Sequence, residues 1–264
     1  MTEPEATAPA QPLRVDHLQV AYGEVVAVGD LSISVREGEI YGLIGSNGAG
    51  KTSAIKAIMG LLTPRKGTVH VFGKDPVTNG ILTRALTGYV PEVSILYDAL
   101  TPREYLEFVA SVRRLEGFRE RLVDFASALQ IEGEMDRAIS TLSNGTRQKV
   151  LLVSSLLHQP RLLILDEPFN SLDPRSVRIM KDLLGAYVRG GKRSILFSTH
   201  TMEVAEKLCQ RVGVLDRGVL KGEGTLQELR SQVRLPDATL EDIFLELTTD
   251  REQLSQIVDR LEAA

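Results

Sequence analysis

The stretch EIYGLIGSNGAGKTSAIKAIMG, Glu39 to Gly60, constrains the fold more than any other part of the chain. A short continuous apolar run is what a strand buried on both faces looks like. A loop of glycines and small polar residues follows it, then a lysine, a threonine and a segment with helical apolar spacing. Gly45-Ser46-Asn47-Gly48-Ala49-Gly50-Lys51-Thr52 satisfies the phosphate-loop pattern, with Ser53 next on the helix. Glycines let successive backbone N–H groups turn onto a multiply charged anion, and a helix N-terminus aims its positive dipole end at the same place. The stretch therefore predicts a strand–loop–helix unit that holds a nucleoside triphosphate. Lys51 reaches the β- and γ-phosphates, and the Thr52 hydroxyl holds Mg²⁺.

A strand of that kind needs parallel partners. RLLILDEP (161–168) and RSILFSTH (193–200) are two more continuous apolar runs, and helical segments separate all three, which predicts a parallel α/β core. LRVDHLQVAYG and DLSISVREGE, nearer the N-terminus, alternate apolar and polar residues as half-buried strands do. GTVHVFGKDP reads as another short strand, and RVGVLDRGVLKGEG as a hairpin about Asp216-Arg217-Gly218. The span from about Ser94 to His158 reads as helical throughout. At TPREYLEF, Thr101 caps a helix, Pro102 suits its first position and Glu104 completes a capping box; Tyr105, Phe108, Val109 and Val112 then share a face. After Gly224, LEDIFLELT and REQLSQIVDRLEAA have helical spacing, with Leu254, Ile257 and Leu261 on one face for core docking or a dimer contact.

Composition narrows the class. The 264 residues carry 31 Lys and Arg against 35 Asp and Glu, a formal net charge of −4, so there is no general electrostatic case for nucleic acid. The single cysteine, Cys209, excludes an internal disulfide and reads as a buried, inert thiol. No apolar run approaches the roughly 18–20 residues of a membrane helix. MTEPEATAPAQP has neither the basic start nor the apolar stretch of a secretory signal and reads as a disordered tail over residues 1–12.

The strand ends carry the chemistry. Asp166 and Glu167 close an apolar strand: Asp166 is placed to bind Mg²⁺ directly or through water, and Glu167 to polarise an attacking water. His200 ends the next buried strand as a donor to the γ-phosphate. Ligands of open α/β sheets gather at the carboxyl ends of strands, so Gly45, Asp166 and His200 are expected to converge. His17, His70 and His158 have no partner motif and are assigned no role.

At LSNGT the reading narrows further. Leu142-Ser143-Asn144-Gly145-Thr146, shortly before LLILDEP and ahead of a long apolar helix, resembles the LSGGQ signature of ATP-binding cassette (ABC) ATPases. Tyr22 in VAYG looks like the aromatic residue that stacks on adenine. Glu92 in GYVPE occupies the Q-loop position and so joins the metal and catalytic set. Asp173 in SLDP looks like the D-loop, and His200 is the switch histidine. Six motifs fall in order between about Leu13 and Gly224. The resemblance implies a P-loop NTPase core with a parallel sheet and an N-terminal antiparallel β subdomain. It also implies a nucleotide-binding domain over residues 13–224, a helical subdomain at about 94–158 and a C-terminal helical extension over 225–264. It further implies a head-to-tail dimer in which Ser143, Asn144, Gly145 and Thr146 of one cassette cover ATP and Mg²⁺ on the other, identical or not. Asn144 and Thr146 depart from the usual Gly and Gln, and Glu92 from the usual Gln.

One cassette without a coiled-coil insertion or a membrane span implies a separate integral membrane permease, gripped by the helical insertion and the segment after Glu92. That places the chain on the cytoplasmic face of the membrane. GYVPEVSILYDALTPREYLEF and TLEDIFLEL resemble the export branch. The alternatives are an importer subunit, a soluble cassette that remodels a protein or nucleic-acid complex, and a regulatory module that hydrolyses little. Glu167 argues against the last.

Overall fold

The computed structural model describes residues 11–249. The expected tail, apart from Gln11 and Pro12, and the apolar face of Leu254, Ile257 and Leu261 lie outside the described residues.

Among the described residues nine strands form one sheet: β1 (Leu13–Tyr22), β2 (Val25–Val35), β3 (Ile40–Ile44), β4 (Lys66–Val71), β5 (Thr87–Val90), β6 (Leu162–Asp166), β7 (Ser194–Thr199), β8 (Arg211–Asp216) and β9 (Val219–Gly224). The spatial order is β4-β1-β2-β9-β8-β3-β7-β6-β5. Strands β8, β3, β7, β6 and β5 run parallel, whereas β4, β1 and β2 pair antiparallel at the other edge. The hairpin between β8 and β9 turns through Arg217 and Gly218, both with positive φ (46° and 77°), as a tight two-residue connection requires.

Alternation sorts the parallel strands between two cores. Ile40 and Ile44 of β3, Leu163 and Leu165 of β6, and Ile195 and Phe197 of β7 face one apolar cluster. Tyr41 and Leu43, Leu162 and Ile164, and Leu196 face the other. Every residue of β3, β6 and β7 is buried, which is why these strands read as unbroken apolar runs. Helix α1 (Lys51–Ile58) covers the second cluster through Ala54, Ile55 and Ile58. Helices α2 (Gly80–Leu86), α3 (Pro102–Val112), α4 (Phe118–Ala128) and α5 (Asn144–Leu156) lie between β4 and β6 in the chain. Helices α6 (Pro174–Val188), α7 (Met202–Leu208), α8 (Leu226–Val233) and α9 (Leu240–Thr248) follow.

Two expectations are corrected. The span from Ser94 is not helical throughout: Ser94–Leu100 is irregular, and helix begins only at Pro102, where the Thr101–Glu104 capping box closes as anticipated. The apolar residues Ile95, Leu96 and Tyr97 of this loop are consecutive and lack helical spacing; Leu96 packs against the core while Ile95 and Tyr97 are exposed. On α3 the buried stripe is Pro102, Leu106 and Ala110; Phe108 and Val112 point outward at 47% and 67% exposure. Packing against α5 selects the side with the small Ala110, where two helices can approach closely. Helix α9 docks on the core through Leu240 and Ile243. Cys209 follows α7 with its sulfur against Gly42, and burial pushes the thiol well above its ordinary pKa.

Candidate functional site

The loop after β3 wraps a cleft of about 230 Å³ lined by Asn47 to Ser53 together with Ala27, Glu92 and Glu167. Gly50 shows why the loop needs glycine: its φ is 106°, and a Cβ there would strike the Ala27 carbonyl oxygen. Lys51 is buried and spends its three donors inside the site. Its Nζ donates to the carbonyl oxygens of Gly45 (2.7 Å) and Ser46 (3.1 Å) and pairs with Glu167 Oε1 at 3.2 Å. The Thr52 hydroxyl donates to Glu92 Oε2 at 3.5 Å across the cleft. At the rim, the Tyr22 hydroxyl stands 3.4 Å from Ser53 Oγ.

Strands β6 and β7 deliver the acids and the histidine. Their parallel register sets Asp166 beside Ser198, and the Ser198 hydroxyl donates to Asp166 Oδ1 at 2.5 Å. Ser198 Oγ also accepts the Glu167 N–H at 3.1 Å, so one serine clamps both acids. Burial raises the Asp166 carboxyl above the usual range, against the lowering effect of Ser198 and Thr52. Asp166 Oδ2 has no hydrogen-bond partner. Glu167 turns at φ 48°, a left-handed conformation rare for a side-chain-bearing residue. His200 Nδ1 lies 3.1 Å from Glu167 Oε2, and Gly45 N–H donates to the Thr199 carbonyl oxygen at 3.3 Å. The strand ends at Gly45, Asp166 and His200 are thus neighbours. Tyr89 on β5 has its phenol pushed up to about 12 by burial and by the nearby charges of Asp166 and Glu92, so it stays neutral.

The LSNGT loop is elsewhere, and none of its residues lines this cleft. Ser143 caps α5, accepting the Thr146 N–H at 3.2 Å, and its hydroxyl meets the Thr146 hydroxyl at 3.0 Å. Asn144 and Gly145 form the first helical positions, and a Cβ on Gly145 would come within 2.9 Å of the Ser171 carbonyl oxygen. Asp173 caps α6 by accepting from Arg175 and Ser176 N–H groups at 3.0 Å, and hydrogen bonds led by the Ser176 hydroxyl hold its carboxyl below the usual range.

Comparison with known proteins decides the family. The family model for ABC transporters matches residues 28–170. The ABC-type transporter ATP-binding protein EcsA of Bacillus subtilis (strain 168) is 35% identical over 240 residues, covering 90% of this chain and 97% of that protein. The chain belongs to the ABC transporter family, among its ATP-binding proteins. A Nod factor export ATP-binding protein I of Bradyrhizobium diazoefficiens is 36% identical over 209 residues, 77% of this chain and 67% of that protein. A solved ATP-binding subunit of an ABC transporter superposes with a TM-score of 0.85 at 33% identity, covering 90% of this chain and 99% of the other.

Among the residues of this ABC protein that sequence reasoning passed over, Ser198 and Gln148 matter most. Ser198 has a faint signal, a hydroxyl that closes the apolar run Ile195–Phe197 two residues before His200. Gln148 has none in its helical surroundings; only the fold shows that it accepts a hydrogen bond from Ser94, 54 residues earlier.

Proposed function

We propose that this ABC protein binds and hydrolyses ATP with Mg²⁺ between two cassettes and thereby drives a separate, export-type integral membrane permease. The observation that carries the reading is the linked series Lys51–Glu167–His200, with contacts of 3.2 and 3.1 Å, in a cleft walled by the phosphate loop.

In this reading the loop N–H groups from Gly45 to Thr52 and the Lys51 ammonium bind the phosphates, and Tyr22 stacks on the adenine. A triphosphate gives Lys51 a multiply charged partner, which releases Glu167 to accept a proton from water. The contact of Nδ1 with the Glu167 carboxylate orients the His200 ring and leaves Nε2 free to face a phosphate. The donor set fits Mg²⁺: Asp166 has an unpartnered buried oxygen, and the Thr52 hydroxyl and Glu92 carboxylate supply further oxygens. Bound there, Mg²⁺ would neutralise charge on the phosphates.

Ser143, Asn144, Gly145 and Thr146 present a helix N-terminus with no anion from their own cleft, which supports their covering ATP on a second cassette, with Asp173 nearby at that boundary. The permease surface is the apolar patch of Val93, Ile95, Tyr97, Phe108 and Val112. No described helix is long and apolar enough to cross a membrane. Attachment to the cytoplasmic face through the permease belongs to the same reading. The export assignment rests on the relative named for Nod factor export.

The test is Glu167→Gln beside Lys51→Ala. Glu167→Gln should bind ATP, dimerise and lose at least about 100-fold in kcat. Lys51→Ala should lose nucleotide affinity. Parental turnover by Glu167→Gln, or parental affinity of Lys51→Ala, overturns the reading.

A further inference from the structure

The loop between β5 and α3 touches both the nucleotide cleft and the helix that carries LSNGT. At its start Glu92 meets the Thr52 hydroxyl. Two residues on, the Ser94 hydroxyl donates to Gln148 Oε1 at 2.6 Å. Four residues further, Asp98 Oδ1 accepts from Arg147 Nη2, also at 2.6 Å. The Asp98 and Leu100 carbonyl oxygens accept the Ser140 and Ile139 N–H groups just ahead of the signature loop. Arg147 and Gln148 lie one turn past the Ser143 cap, so this loop holds the first turns of the helix that Ser143 starts.

Gln148 stands apart within this set. It is 4% exposed, yet its amide Nε2 has no hydrogen-bond partner. Ser94 can satisfy only one end of the amide, and reversing the amide would strand the oxygen instead. A leucine or methionine would fill the space without an orphaned donor. Such a buried amide fits a contact that must choose between arrangements rather than one that only fills a core.

We propose that Gln148, held by Ser94, is a positioning residue: it sets the angle of α5, and so the placement of Ser143, according to where Glu92 stands in the cleft. This rests on the ATPase reading above. The contact touches neither phosphate nor metal, so it acts on turnover rather than on nucleotide capture.

Ser94→Ala, Ser94→Thr, Gln148→Met and the Ala–Met double variant, each in the full chain, test this by ATP affinity, kcat and ATP-dependent dimerisation. Ser94→Ala and Gln148→Met should keep ATP affinity within about twofold while kcat falls about five- to tenfold, the double should be no worse than either single, and Ser94→Thr should restore kcat. Parental kcat in Ser94→Ala overturns the proposal, as do multiplicative losses in the double. If Gln148→Met fails to fold, the Ser94 pair decides alone. Lys51→Ala and Glu167→Gln run in parallel keep the two readings apart. If they lose affinity and turnover as expected while Ser94→Ala is unaffected, only the positioning role falls. If they behave as parent, the ATPase reading itself falls.

Discussion

Glu167 holds a backbone conformation that costs about 1–3 kcal/mol for a residue with a side chain. Its surroundings must hold it there, and Ser198 does so from both sides of the acid pair. Its hydroxyl accepts the Glu167 N–H and donates to Asp166 Oδ1. Ser198→Ala would leave Asp166 with neither oxygen hydrogen-bonded by a side chain of β7, and the loss of a buried partner costs about 1–3 kcal/mol. The Asp166 carboxyl already lies above the usual range through burial, and Ser198 is the leading group pulling it down. Removing the serine therefore raises it further. In the proposed reading Mg²⁺ binds the ionised Asp166, so the variant's half-saturating Mg²⁺ concentration should climb at a higher pH than the parent's as the solution is acidified. ATPase titrations with Mg²⁺ across a pH series check this. Superimposable profiles would reduce Ser198 to a packing residue. The phosphate loop is legible in the residues themselves because its eight positions are contiguous. Ser198 and Gln148 are not, because each acts on a partner tens of residues away that only sheet register or helix packing brings near.

At the scale of elements, α5 is anchored at both ends. Ser143 caps its start, and beyond its last turn His158 reaches the Thr87 carbonyl oxygen on β5 at 3.1 Å through Nε2. His158 is assigned no catalytic role, and its setting is structural. Burial, then the charge of Arg113, pushes its pKa down to about 4, and Nδ1 is buried without a partner. Above pH 6.5 the imidazole is neutral in folded and unfolded chains alike. Between pH 6.5 and about 4 the unfolded chain takes up a proton that the folded one refuses, so stability falls as pH falls, by up to about 1 kcal/mol per pH unit once partial solvent access is allowed for. His158→Gln should flatten the melting temperature across that window, and curves that stay parallel to the parent's would remove His158 from the acid response. The same element scale explains what can be read of α3. The Thr101–Glu104 capping box is local chemistry and closes as the residues anticipate, whereas the buried face depends on a partner helix, and the apolar row through Phe108 and Val112 stays outside.

That row has its largest consequence at the scale of the molecule. Phe108 packs edge-on against Tyr97 with ring centroids 5.7 Å apart, and Tyr97 lies 6.2 Å from Tyr105. With Ile95 at 77% exposure on the same loop, this is an aromatic and aliphatic surface on a chain whose parallel strands β3, β6 and β7 are fully covered. Contiguous apolar surface of this kind marks an interaction site more often than a solvated face. Its neighbour in the chain is the loop that meets both Thr52 and α5, so a partner seated on the patch would press on the nucleotide cleft and the signature helix together. Phe108→Ser combined with Val112→Ser lies on α3, away from those contacts. Loss of the Phe108–Tyr97 ring contact should cost about 0.5–1.5 kcal/mol of folding stability and the exposed Val112 no more than about 0.5, while ATP turnover by the purified chain stays unchanged. Recovery of an integral membrane protein with the tagged chain from detergent-solubilised membranes should drop to background. If the membrane partner is recovered at parental yield, the permease docks elsewhere, and the patch must be covered by something other than the transporter's membrane half.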